Sequence, residues 1–347
     1  MIDDIKLTDL LSKQEKSDHT LVDVRSPKEF NEATIPGSIN IPIFTTEERA
    51  EIGTLYKQVS QEAAKNRGLE IFSEKLPTFI KEFKKVNTPI TVFCWRGGMR
   101  SKTVATVLDL MDIHVTRLHG GIKAYRQWVV AELDKEIFKP DFYVLNGHTG
   151  SGKTIMLDKL AEKGYPIIDL EKMANHRGSI FGQIGLEPNN QKKFESLLVK
   201  AMNQYAEEPF VFIEGESKRI GKVTLPDFFY NKKEDSTQLF IDLPFEQRID
   251  IILDEYHPYD NPDLFIRAFN LIKKHIHTPI AKEIGDALQL SDFYTAIKLL
   301  LEYYYDPRYD HHVDKYKESQ ITSIKATTID DAIEQVEQFI AEKHASK

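Results

Sequence analysis

At 347 residues the chain is too long for one small core and too short for three ordinary domains, so two domains are expected. With 41% hydrophobic and 29% charged residues it has the balance of a globular protein, and no apolar run reaches the roughly 18 residues of a membrane span, which argues against a membrane protein. The net charge of −8 argues against indiscriminate nucleic-acid binding, because counterion release needs clustered Lys and Arg; such a site would have to be a local patch.

The amino terminus, MIDDIKLTDLLSKQEKSD, carries mixed charges without an apolar core of signal-peptide length, so a cytoplasmic location is expected. Residues 20–24 (TLVDV) and 90–94 (ITVFC) are short β-branched apolar runs bounded by turn residues, which suits buried parallel strands. Residues 76–86 and 101–112 carry apolar side chains at three- and four-residue spacing and predict helices. A first α/β domain is expected over 1–137, ending where a charged stretch meets Pro140. The second, 138–347, begins with a strand at 142–146 and a helix from Gly152, followed by strands at 165–169, 209–214 and 237–242. Strands alternating with helices imply a parallel sheet. After Pro244 the pattern turns helical, predicting a helical appendage at about 245–310. The expected class is α/β, with two parallel-sheet domains in succession.

Between the strand at 142–146 and its helix lies GHTGSGKT, Gly147 to Thr154, which fits the P-loop spacing G-x-x-x-x-G-K-[ST]. Gly147, Gly150 and Gly152 let backbone N–H groups turn toward phosphate oxygens at a helix N-terminus, Lys153 adds a point charge, and Thr154 is placed to hold Mg²⁺. Glu214 closes the strand at 209–214, where an acid that positions a metal would stand; a solvated carboxylate at a strand end is the plainer reading. Nothing in the motif says that the phosphate belongs to ATP.

The single cysteine excludes an internal disulfide and a thiolate zinc cage. Cys94 opens CWRGGMRS, a loop with Arg96, Gly97, Gly98 and Arg100 that leads into a helix. Amide hydrogens curled around the sulfur, with Arg100 and the helix N-terminus, would favour a thiolate, a bound anion, or a sulfur-borne persulfide or perselenide. A buried structural cysteine is the alternative. VDVRSPKEF (22–30), IPGSINIP (35–42), the Cys94 loop and LHGGIKAYRQW (118–128) together resemble rhodanese domains, although EAT replaces the histidine often seen before IPG. The loop looks one residue longer than in simple sulfurtransferases of that family, a length that suits a tetrahedral anion.

A rhodanese-like domain followed by a P-loop NTPase-like domain resembles the tRNA 2-selenouridine synthase family, as do residues 45–58, 169–185, 214–221 and 299–309. Where that family suggests two adjacent acids, this chain has Glu214, Gly215 and Glu216. The resemblance implies a transferase acting in two steps on tRNA with 2-thiouridine at the wobble position. Geranyl diphosphate gives its geranyl chain to the sulfur, and selenophosphate then replaces that sulfur with selenium. It makes Cys94 and Arg100 catalytic, sets Glu214 and Glu216 aside as metal or positioning residues, and allows Mg²⁺ but no structural metal. A selenophosphate-producing enzyme is the implied supplier.

Arg177, Lys218, Arg219 and Lys222 fall close in sequence to strand ends of the second sheet and, with His176 and Ser179, would contact tRNA or the diphosphate; ordinary solvated charge is the alternative. Tyr303 to Tyr305 would stack on bases or simply pack a helix. Two other functions remain open: a persulfide sulfurtransferase fused to an ATP-dependent kinase, and a non-catalytic nucleotide-dependent tRNA scaffold. The kinase would need lid arginines, and the helical region offers chiefly Arg248 and Arg267.

Overall fold

The structure is a computed structural model that describes residues 3–14, 19–179, 181–182, 184–313 and 316–345. The chain forms two compact units, Met1–Lys135 with Glu195–Lys200, and Glu136–Phe194 with Ala201–Lys347.

The first unit is built on strands β1 (Asp3–Ile5), β2 (Thr20–Asp23), β3 (Ile39–Asn40), β4 (Ile90–Phe93) and β5 (Val115–Leu118), paired in parallel in the order β1-β5-β4-β2-β3. All four residues of β4 are buried, as a strand covered on both faces requires. One face packs Val22 and Val92 against Phe72, Phe79 and Phe83 and against Val104 and Leu108, from helices Gln61–Phe83 and Met99–Asp109. The helix expected at 76–86 starts much earlier. Ser60 caps it by accepting from Ala63 N, and it runs 23 residues straight through Pro77. Proline removes one helical donor, but Ile71, Phe72, Phe79 and Ile80 bury an apolar stripe on both sides of it, which outweighs the lost bond.

In the second unit β6 (Asp141–Asn146), β7 (Ile167–Ile168), β8 (Phe210–Glu214), β11 (Thr237–Asp242) and β12 (Ile321–Lys325) form a parallel sheet in the order β12-β11-β6-β8-β7. Between β8 and β11 the short strands β9 (Arg219–Ile220) and β10 (Val223–Thr224) make an antiparallel ribbon. β6 is central, so the loop that follows it opens at the middle of the carboxyl edge, where ligands of such sheets bind. β7 is shorter than the expected 165–169, because Asp169 leaves the sheet to cap helix Leu170–Ala174, accepting from Lys172 N at 2.7 Å.

The appendage is helical, as expected. Helices Phe245–Tyr256, Pro262–Ile272, Thr278–Gln289 and Phe293–Leu300 close around Phe265, Phe269, Ile284 and Phe293. A π-helical turn, Leu301–Tyr305, then passes into helix Asp306–Val313. The chain returns to the sheet as β12 and ends in helix Ile329–Ala345, whose Ile333, Val336 and Ile340 pack with Met156 and Leu160 of the helix after the P-loop. Among the described residues no helix is long and apolar enough to cross a membrane.

Candidate functional site

Cys94 stands one residue past the end of β4, 3% exposed, with its Sγ 3.2 Å from the Ser101 hydroxyl. The loop is pinned from below by helix Gly121–Leu133: Ile122 N donates to Cys94 O and Lys123 N to Trp95 O, both at 2.9 Å. Gly121, at φ +57°, is required there, since a Cβ would lie 2.2 Å from Cys94 O. Trp95, Arg96 and Met99 are exposed on the outer side. Arg100 differs from expectation. Its guanidinium makes two bonds to Glu29, at 2.6 and 3.1 Å, so its charge is matched by a carboxylate instead of being directed at the sulfur alone.

Glu29 is itself built in. It is the third residue of helix Pro27–Glu32 and forms a capping box with Ser26. The segment leading to that helix is anchored by a buried pair, Arg25 on Asp23 at 2.6 Å, with Thr34 also donating to Asp23 at 2.9 Å. Burial pushes the Glu29 carboxyl up, and the Arg100 guanidinium more than offsets this, holding it below the usual carboxylate range.

In the P-loop Gly147, Gly150 and Gly152 all have positive φ, and Gly152 caps helix Lys153–Glu162. A Cβ at Gly147 would meet Ile241 O at 2.7 Å, and one at Gly150 would meet Arg248 O at 2.6 Å, so the loop is packed tightly by its neighbours. Lys153 folds back onto the loop, donating to Gly147 O at 3.0 Å. Burial draws its pKa down, against the pull of Glu216 and Glu171.

The acids around this lysine form a larger group than the sequence suggested. Thr154 donates to Glu171 at 3.2 Å, a residue the sequence reading passed over. Glu171 and Glu216 meet above Gly178, where a Cβ would lie 2.6 Å from one carboxylate and 2.7 Å from the other. Burial, then the Glu216 charge, pushes Glu171 up to about 9. Glu214 lies deeper, 3% exposed; it accepts from Glu171 N at 2.6 Å, and burial beside Asp169 raises it well above the carboxylate range. It braces the helix that carries Glu171 more than it faces the loop. Among the described residues no three His, Cys, Asp or Glu side chains converge as a metal site. The hydroxyl of Thr154 and the carboxylate of Glu171 are hard oxygen donors that fit Mg²⁺ completed by phosphate oxygens and water.

The remaining expected residues separate into two groups. Arg177 turns inward, 3.2 Å from Glu255 and 5.0 Å above the Tyr256 ring, and Ser179 bonds the Tyr256 hydroxyl at 3.2 Å. His176 is 9% exposed, with Gly221 packed against its ring, and burial holds its imidazole below the usual range. Lys218 and Arg219 instead lie exposed on the β9–β10 ribbon, Lys218 2.5 Å from Asp227. Of the three tyrosines only Tyr303 is exposed; Tyr304 and Tyr305 pack against the helical core.

Residues 140–270 match the family described as the tRNA 2-selenouridine synthase AAA domain, and residues 6–127 match the rhodanese-like domain. The chain is similar to a tRNA 2-selenouridine synthase of Aeromonas salmonicida, 30% identical with 99% of this chain and 98% of that protein covered. The chain belongs to the tRNA 2-selenouridine synthase family. Another relative of that name, from Bdellovibrio bacteriovorus, is 30% identical over 83% of this chain and 87% of its own length. One from Nitrosomonas europaea is 35% identical over 69% of this chain, and there the match spans only 64% of the relative's length.

Within this family the chain's Glu-Gly-Glu at 214–216 has a steric reason. A Cβ at Gly215 would lie 1.9 Å from Asn146 Oδ1, and Asn146 is held across the sheet by its 2.6 Å bond to Gln238. Glu171, on the helix after β7, is the acid that meets Thr154. An acid two residues past a predicted strand end, in a stretch already resembling the family, was the available signal for it.

Proposed function

We propose that the chain modifies the wobble 2-thiouridine of tRNA in two steps, with the P-loop domain, 138–347, transferring a geranyl group and the rhodanese-like domain, 1–137, supplying selenium. The observation that carries this reading is that two loops of different chemistry share one chain. One is a phosphate loop with its lysine turned inward, and the other is a cysteine loop braced by an arginine.

In the first step the uridine sulfur attacks C1 of geranyl diphosphate, the C–O bond breaks, diphosphate leaves, and the base loses its N3 proton. The loop amides and Lys153 stabilise the charge that grows on the departing diphosphate. Mg²⁺ held by Thr154 and Glu171 would supply further neutralisation of that charge. In the second step selenium from selenophosphate attacks C2 of the base, geranyl thiol departs, and water cleaves the Se–P bond to release phosphate. The Cys94 loop holds the tetrahedral selenium donor, with its backbone amides toward the anion. Membership of a family of tRNA-modifying synthases supports the reading, as does the commitment of Arg248 to structure, which removes it from the arginines a kinase lid would need. The setting is the cytoplasm, with a selenophosphate-producing enzyme as supplier.

The test is mass spectrometry of wobble nucleosides after thiolated tRNA is incubated with geranyl diphosphate, with and without selenophosphate. The S-geranyl nucleoside is expected without selenophosphate and 2-selenouridine with it. ATP hydrolysis stimulated by tRNA, with neither nucleoside formed, would overturn the reading.

A further inference from the structure

The strand order of the second unit fixes where its phosphate loop has room beside it. β6 and β11 are neighbours in the order β12-β11-β6-β8-β7, yet the chain leaves β6 toward β7 and β8 and leaves β11 toward β12, at opposite ends of the sheet. The loops after these two strands therefore diverge, and a crevice opens at their carboxyl ends, the usual place for a ligand of an open parallel sheet. A cleft of about 510 Å³ is found there, lined by His148 of the phosphate loop, by Asp242, Pro244 and Phe245 from the end of β11 onward, and by Lys325 and Thr327 from the end of β12. On the appendage side of the same loop Thr149 borders an apolar space of only about 40 Å³, far below the ~150 Å³ of a cavity that holds benzene. A ring that must reach the phosphate loop has the cleft as its way in.

The polar groups of the cleft stand in a fixed order. Lys325 pairs with Asp242 in the strand register, and two residues beyond the pair Phe240 with Asn146 come Asp242 and His148, so ammonium, carboxylate and phosphate loop lie side by side. Asp242, Lys325 and Thr327 are exposed to solvent there. A hydrocarbon chain laid across them would strip water from two charges and return no hydrogen bond, and a second phosphate would meet the Asp242 carboxylate. A neutral ring with an N–H between two acceptors meets neither penalty. Its N–H donates to Asp242, one acceptor takes a bond from Lys325, and the other points at the phosphate loop. A uracil-type base has that edge, whereas cytosine turns an amino group toward the lysine. Pro244 and Phe245 supply apolar surface for the ring to pack on.

We infer that this cleft is the acceptor site, that it seats the unpaired wobble base by its hydrogen-bonding edge, and that Asp242 is the catalytic base that removes the N3 proton. The inference rests on the geranyl-transfer reading, to which it adds the seat of the base and the proton acceptor. Seated so, the 2-thio group faces the phosphate loop. The N3–H proton passes to the Asp242 carboxylate, and the electron pair it leaves is delocalised onto sulfur. Sulfur then forms its bond to C1 as the C1–O bond breaks and diphosphate departs with that pair. Lys325, on the O4 side, stabilises the anion that forms, and Asp242 returns its proton to water through the open mouth. The other charged or titratable groups lining the cleft are His148 and Arg248. Arg248 is committed to Asp306 and Thr149, and the His148 ring lies against Tyr309 with 4.6 Å between centroids. Among the described residues Asp242 is the one carboxylate in the lining.

The experiment follows geranyl transfer to an anticodon stem-loop carrying 2-thiouridine as pH is varied, together with the affinities of that RNA and of inorganic diphosphate. Asp242→Asn is expected to lower kcat about a hundredfold near neutral pH and to regain rate as pH rises and the thioamide ionises unaided. Its affinity for inorganic diphosphate should be unchanged, which also certifies the fold. Thr327→Trp, which fills the cleft from an exposed position, should weaken stem-loop binding at least about tenfold and spare diphosphate. A wild-type rate in Asp242→Asn, or a loss that no pH recovers, would overturn the role of Asp242. Undiminished stem-loop binding in Thr327→Trp would overturn the cleft. Should Asp242→Asn lose diphosphate as well, the Thr327→Trp result decides. An intact protein that transfers no geranyl group loses the transfer reading and the proton step with it. A preference for the thiouridine stem-loop over its cytidine counterpart, abolished in Thr327→Trp, would still establish the cleft as the seat of the base.

Discussion

Arg248 grips Asp306 with both terminal nitrogens, at 2.6 and 2.9 Å, and gives its Nε–H to the carbonyl of Thr149 at 3.0 Å. One buried side chain thus ties the phosphate loop, 99 residues before it, to the helix that follows the π-helical turn, 58 residues after it. Removing it leaves a partly buried carboxylate unpaired and a loop carbonyl without its donor. Arg248→Ala is expected to cost ~3 kcal/mol in denaturant unfolding and to weaken diphosphate binding. Arg248→Lys should recover little of either, because an ammonium cannot reproduce three bonds in a fixed fork. Wild-type diphosphate affinity in Arg248→Ala would show that the loop holds its shape alone.

The P-loop acids predict a pH dependence. Glu171 is pushed up to about 9, so the folded protein holds a proton there that the unfolded chain releases near pH 4.5. Stability from this group is fully present below pH 4.5 and is lost as pH rises toward 9, by up to about 1.4 kcal/mol per pH unit for one proton. Glu216 and Glu255 are also raised and act in the same sense, while Lys153, lowered by burial, acts in the opposite one. Metal-free unfolding experiments between pH 6 and 9 should show a falling stability that Glu171→Gln flattens. The same variant should bind diphosphate more tightly than wild type at pH 8.5 without Mg²⁺. An unaltered slope would place the proton elsewhere.

The two loops should serve separable steps. Lys153→Ala is expected to abolish geranylation and, with it, selenation of unmodified 2-thiouridine tRNA, while still selenating tRNA geranylated beforehand. Cys94→Ala should still form the S-geranyl nucleoside and accumulate it. Nucleoside profiles with both donors present read this directly. Wild-type 2-selenouridine in Cys94→Ala would make the cysteine structural, in keeping with its burial and its contact with Ser101.

Binding of tRNA is expected to depend on salt despite the net charge of −8. Arg219, exposed on the β9–β10 ribbon, should lower the slope of log affinity against log salt by about one when replaced by alanine, weakening all tRNAs alike. Arg177→Ala should leave that slope unchanged, because its guanidinium is engaged with Glu255 and Tyr256. Its loss should appear in diphosphate affinity instead. Reversed effects would move the RNA surface to the Arg177 side.

What the sequence determined by itself is whatever depends on neighbours along the chain. The β-branched run at 90–93 can bury both its faces only as an interior strand, and the glycines of GHTGSGKT permit a turn that L side chains resist, so strand, loop and following helix were all legible locally. The helix beginning at Gln61 was not, because its passage through Pro77 is decided by the core that Phe72 and Phe79 join. β12 was missed for a related reason: in ITSIK only Ile324 is buried, and this edge segment reads as a strand only once β11 is there to pair with it. Tertiary structure alone decided that Arg100 would meet Glu29 across 71 residues, that Glu171 rather than Glu214 would reach Thr154, and that Thr149 would border an apolar cavity. Each of those pairings joins segments with no local preference for one another, and the packing of sheet and helices brings them within reach.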